Sequence, residues 1–174
     1  MRIMLAGQAC MVGMILGLWV SSVQAAPPTW WVSPATETCE ALGVPGLLAV
    51  AVILTESRGQ PYAIRVNQGN GQAIFPATYA AGVQAVTTTL TRTPNMDLGL
   101  MQVNYAIWGP RLGLTPAQLL HPTVNLWAGC TVLQQALAAG GALWQQLGRY
   151  HSPTPARQYR YAQQVTTWLT VLTE

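Results

Sequence analysis

The chain has 174 residues, of which 51% are hydrophobic and only 7% charged, with a formal net charge of +3. That length allows one domain with a sizeable core. All eight basic residues are Arg, and they form neither a run nor an aromatic-interleaved stripe, which argues against a nucleic-acid-binding protein.

Residues 1–25 read as an export signal. Arg2 supplies the positive start, Ile3 to Val20 an apolar run, and Val23-Gln24-Ala25 a small-residue cleavage site. Cys10 precedes most of the apolar run, the wrong place for lipid attachment. A membrane association is therefore expected only through an uncleaved signal. Cys39 and Cys130 remain after cleavage. In an exported chain such a pair is a disulfide candidate, with two buried thiols as the alternative. The bridge would close a loop of about 90 residues, valued at about 4–5 kcal/mol by chain entropy. Two Cys and two His without ligand spacing give no expectation of a metal.

Residues 26–36, APPTWWVSPAT, read as an exposed leader with two Pro-containing turns. A helix is predicted from Thr36 to Leu42, ended by Gly43, and a second over 45–57 that is apolar on nearly every face and therefore central. The run YAIRV and the Gly/Asn cluster after it predict a small hairpin or irregular loop. Residues 76–90 read as a helix and TRTPNMD as a loop. Asp97 is expected to cap a helix holding LGLMQVNYAIW. Thr115-Pro116 and Thr154-Pro155 mark further helix starts. Residues 122–139 and 142–149 are helical, and the last helix runs to about Leu172. The expected fold class is mainly α, a single helical domain over 37–174 with a small β element.

Two stretches could carry chemistry. In LAVAVILTESRG, Glu56 closes the most apolar helix of a chain with five acids. The negative end of the helix dipole and an apolar wall both favour the protonated acid and push its pKa up, unless Arg58 or Arg65 pairs with it. Such an acid can donate a proton to a glycosidic leaving group, although a solvated Glu at a helix end has the same local sequence. In DLGLMQVNYAIW, Gly99 permits close backbone approach. Met101, Gln102 and Asn104 offer an apolar and amide surface suited to a sugar, or merely a helix start facing solvent.

Glu56-Ser57 closing an apolar helix, followed by GLMQVN at 99–104, resembles the lytic transglycosylases with a soluble-lytic-transglycosylase domain, whose fold is similar to goose-type lysozyme. Asn125, Gly129 and Leu133 resemble that family's Asn-x-x-x-Gly-x-x-x-Leu helix, and Tyr161 to Val165 its closing helix. The spacing from Glu56 to Gly99 resembles the branch found in conjugative-transfer and type IV secretion systems. The family usually carries Ala-Tyr-Asn-x-Gly where this chain has RYHSP. Tyr150 therefore matches, while His151 replaces Asn and Pro153 replaces Gly. His151 reads as a polar, partly exposed residue with no assigned role.

The resemblance implies a mainly α, α+β lysozyme-like fold and a periplasmic enzyme acting on peptidoglycan glycan strands without a cofactor. It implies Glu56 as the one catalytic acid and base, and Ser57, Met101, Gln102, Asn104 and Tyr150 at the substrate. The implied product is a 1,6-anhydro sugar. Components of a conjugation or secretion machine are implied partners. A hydrolytic muramidase using Asp97 as second carboxylate, or a non-catalytic peptidoglycan-binding scaffold, are the competing readings.

Overall fold

The computed structural model describes residues 29–69 and 71–174, so the expected export signal and Cys10 lie outside the described residues. Among the described residues there are eight helices and one small antiparallel sheet: α1 Val32–Ala41, α2 Gly46–Glu56, β1 Ile64–Val66, β2 Gln72–Ile74, α3 Tyr79–Leu90, β3 Met96–Leu98, β4 Val103–Asn104, α4 Tyr105–Leu112, α5 Pro116–Leu120, α6 Pro122–Ala138, α7 Leu143–His151 and α8 Pro155–Thr173. The sheet order is β2-β1-β3-β4. The mainly α class with a small β element is the fold observed.

Helix α2 forms because residues 46–56 contain one Gly and no other helix breaker, and it is central because almost nothing on it is polar. Ala49 to Ile53 are all buried. Each large aliphatic side chain so buried contributes about 1.5–3 kcal/mol. α1 and α8 pack along α2, and α6 packs on α1 and α7. The disulfide Cys39–Cys130 joins α1 to α6 across 91 residues of sequence, with Cα atoms 5.1 Å apart. The alternative of two free thiols is thereby removed.

Two expectations are corrected. The exposed leader ends earlier than residue 36, because α1 begins at Val32 and Trp31 is only 2% exposed. Its indole packs against Gly59, and burying so large a ring fixes the start of the domain. Residues 97–108 are also not one helix capped by Asp97. They form strand β3, a turn, strand β4 and then α4. Gly99 and Gln102 both take left-handed backbone, with φ of 76° and 47°, which folds the chain back on itself. The cap of α4 is Asn104, whose Oδ1 accepts the Ile107 N–H at 3.1 Å.

The sheet alternates as a half-buried sheet should. Ile64 and Val66 on β1, and Met96 and Leu98 on β3, point into the core. The register sets Arg65 opposite Ala73 and Asp97, and Asp97 opposite Asn104. These four residues therefore form one row on the outer face, and that face is one wall of a cleft.

Candidate active site

The cleft encloses about 850 Å³ between the sheet and the ends of α2, α7 and α8. Glu56 is the last residue of α2, and its side chain is 12% exposed, at the cleft floor. Ser57 follows in non-helical backbone, and Arg58 takes a φ of 53°, so the chain turns away and leaves the carboxyl uncovered. Burial pushes the Glu56 pKa up to about 8. A nearby Tyr161 hydroxyl opposes this, Asp97 across the cleft adds to it, and Arg65 opposes it weakly. Of the two arginines that might have paired with Glu56, Arg65 is the one the fold brings near.

The sheet wall hangs from Asn125 on α6. Its side chain is fully buried. Oδ1 accepts the Met101 N–H at 2.8 Å, while Nδ2 donates to the Leu98 and Leu119 carbonyls at 2.7 and 2.9 Å. A Cβ on Gly99 would strike the Asn125 amide, and a Cβ on Gly129 would strike the Met101 side chain. Gly99 and Gly129 thus let the turn lie directly on α6. Tyr150 on α7 closes the clamp, its hydroxyl donating to the Met101 carbonyl at 2.6 Å.

The expected binding residues divide accordingly. Gln102, Asn104 and Tyr150 line the cleft. Gln102 Nε2 is spent on the Ala63 and Gly99 carbonyls, at 3.0 and 2.9 Å, which leaves Oε1 as an acceptor. Asn104 Nδ2 donates to Asp97 Oδ1 and Asn95 Oδ1, so its amide holds the wall together. Met101 has no exposed surface, and its side chain packs under Gly129. Ser57 is buried and its hydroxyl donates back to the Ile53 carbonyl at 3.3 Å. Both therefore stand behind the cleft surface, Met101 packed on α6 at Gly129 and Ser57 folded back on the last turn of α2. Asp97 accepts from Asn67 Nδ2 at 2.7 Å and Asn104 Nδ2 at 2.8 Å, one bond to each carboxylate oxygen.

Two further residues reach Glu56. Tyr161 on α8 is buried, and its hydroxyl approaches the Glu56 carboxyl without completing a hydrogen bond of regular geometry. His151 ends α7 with Nδ1 3.8 Å from Glu56 Oε1, the only acid–base pair this close among the described residues. Its ring stacks on Tyr161, with centroids 4.8 Å apart and planes at 2°. Glu56, the two tyrosines and the histidine form one continuous cluster.

Residues 34–167 match the Transglycosylase SLT domain family. The chain belongs to this family. It is also 32% identical over 102 residues to Protein virB1 of Agrobacterium fabrum (strain C58 / ATCC 33970), a stretch covering 59% of this chain and 40% of that protein. The aligned stretch thus spans about two fifths of that relative's length. No solved structure gives a significant match.

As an SLT domain, the chain explains its own motifs physically. The Asn-x-x-x-Gly pattern is the clamp and the close-approach site under the turn. The closing-helix tyrosine, Tyr161, reaches Glu56. In the sequence Tyr161 marks only the closing helix, and His151 has no role. The available sign was that both fall in motif positions, one matching the family and one departing from it.

Proposed function

We propose that the chain is a peptidoglycan lytic transglycosylase in which Glu56 alone acts as acid and then base. The observation that carries this is the Glu56 environment, a carboxyl at an open cleft floor with its pKa raised to about 8 by burial. At neutral pH it holds the proton that the first step needs.

In that step Glu56 gives its proton to the oxygen joining N-acetylmuramic acid to N-acetylglucosamine, and the C1–O bond breaks. The substrate's own acetamido oxygen supports the positive charge at C1. Glu56, now a carboxylate, takes the proton of the muramyl C6 hydroxyl as that oxygen bonds to C1. The product is a 1,6-anhydro end, and the acid is regenerated without water. An intramolecular attack of this kind depends on positioning more than on a second catalytic group. In this reading the Tyr161 hydroxyl donates to Glu56 in its carboxylate state, and Gln102 Oε1, left free by the bonds of its Nε2, accepts from the sugar. Ser57 and Met101 act from behind, by holding α2 and the turn in place.

Two further parts of the proposal rest on the sequence. The pattern of residues 1–25 supports export to the periplasm, and the resemblance to the conjugative-transfer and secretion branch supports local opening of the wall for such an apparatus. Among the described residues no helix is long and apolar enough to cross a membrane.

The test is mass spectrometry of sacculi digested by the protein and by Glu56→Gln. Anhydro-ended muropeptides that vanish in the variant are expected. Reducing ends, one water heavier, would instead indicate a hydrolase, and undiminished cleavage by Glu56→Gln would remove Glu56 from the reaction.

A further inference from the structure

We propose that His151 is a positioning residue for the Glu56 carboxyl whose ring must be neutral for turnover, so that its protonation arrests the step in which Glu56 acts as a base. The inference rests on the transglycosylase reading above.

The geometry is specific. His151 stands where the family motif carries Asn, a side chain that cannot titrate. Its Nδ1 is 3.8 Å from Glu56 Oε1. Stacking on Tyr161 fixes the plane of the ring, and the side chain is 49% exposed, so protons reach it from the cleft. While Glu56 is protonated, a neutral imidazole beside it carries no charge to perturb the acid. Once Glu56 has given its proton away, the pair differs sharply with pH. Beside a neutral ring the new carboxylate keeps its high proton affinity and can take the proton from the C6 hydroxyl. Beside an imidazolium it becomes half of an ion pair, and an opposite charge at 4–6 Å lowers a carboxyl pKa by about 1–3 units. The imidazolium also opposes the positive charge growing at C1. The first half of the reaction then leads to a trapped carboxylate.

The groups facing His151 set where this happens. Asp97 on β3 favours the imidazolium, as does the C-terminal end of α7 itself. Arg157 on α8 and Arg65 on β1 disfavour it. Tyr150 on the same helix and Tyr161 on α8 have pKa values raised well above 10 and stay uncharged. Burial against the aromatic cluster outweighs Asp97 and the helix end and holds the His151 pKa below its usual 6.5. The cleft is therefore competent at neutral pH and closes in acid.

The experiment is a pH–rate profile from pH 4 to 9 for muropeptide release from sacculi, comparing the wild type with His151→Asn, with end products identified in the same digests. The wild-type rate should fall about tenfold per pH unit on the acid side, as expected for loss of one essential deprotonated group. His151→Asn should carry its rate at least one unit further into acid. The alkaline limb, set by Glu56, should not move. Superimposed acid limbs with anhydro products would overturn this inference alone. A folded His151→Asn that is inactive at every pH would also overturn it, because the ring would then carry a proton of the reaction. Reducing-end products from the wild type would overturn the parent reading instead.

An NMR titration gives a second readout that does not depend on activity. His151 should titrate below 6.5 in Glu56→Gln, where no carboxylate can form beside it. A His151 that titrates at or above 6.5 in Glu56→Gln would leave the ring charged where the cleft should be competent and would overturn the inference.

Discussion

The two walls of the cleft hold their carboxylates in opposite ways. On the helical wall, Glu56 sits at the end of an apolar helix, beside aromatic rings, without a regular hydrogen bond. On the sheet wall, Asp97 has both oxygens occupied by side-chain amides, from Asn67 and Asn104. Burial without hydrogen bonds favours a carboxyl that keeps its proton, and that is a group able to donate one. An acid whose lone pairs are already engaged makes a brace between strands. Two acids in one cleft thus do not by themselves make a two-carboxylate glycosidase.

The largest way to break the contrast is Glu56→Gln. Under the proposed mechanism cleavage should fall at least about 10³-fold, since its acid is lost. The fold should become more stable. With a folded-state pKa of about 8 against 4.5 for the free group, Glu56 binds its proton more tightly in the folded chain. Its contribution is therefore fully present below pH 4.5 and is lost as pH rises through 8. At pH 7 the loss is on the order of 3 kcal/mol, which Gln avoids. Melting curves should show a gap between variant and wild type that widens from pH 4.5 to pH 8. A variant that is inactive but no more stable at pH 8 would mean that Glu56 is not held neutral.

The walls also differ in what holds them together. Behind the helical wall Cys39–Cys130 staples α1 to α6, and replacing both by Ser should cost about 4–5 kcal/mol in denaturant unfolding, with the cleavage products unchanged below the transition. The sheet wall hangs on the Asn125 side chain. Asn125→Ala leaves the Met101 N–H and two carbonyls without partners and should cost about 3 kcal/mol. Because the same clamp positions Gln102, this variant should lose about tenfold in kcat/KM even where it is fully folded. Equal losses of activity in the disulfide and Asn125 variants would dissolve the distinction between a stiffening link and a positioning one.

The helical wall was legible in the sequence because its signals are local. An unbroken apolar run gave α2, and Thr115 with Pro116 gave the start of α5. The sheet wall was not, because it is fixed from a distance. Asp97 has the chemistry of a helix cap, and only pairing with β1 makes it a strand residue. The turn after it depends on Gln102 adopting a backbone conformation that favours glycine, held by its amide on two carbonyls. Asn104 resembles a substrate contact in sequence, yet its amide is committed to Asp97 and to the start of α4. Glu56 stood out because helix polarity and apolarity act within one turn. His151 did not, because its contact with Glu56 and Tyr161 comes from three helices meeting.

The finest probe of the two walls is Asp97→Asn. One of the two inter-strand amide bonds would face a second donor, at a cost of about 1 kcal/mol. If Asp97 is a brace, the rate at pH 7 should change by less than about threefold, far short of the 10²–10⁴-fold that loss of a general base entails. The pH profile should still move, and in a set direction. Asp97 raises the Glu56 pKa through its charge, so removing that charge lets Glu56 ionise sooner and brings the alkaline limb to lower pH. A small shift with a preserved rate fits a charge felt across the cleft. A collapsed rate with the limb unmoved would place Asp97 in the chemistry and turn the cleft into a two-carboxylate site.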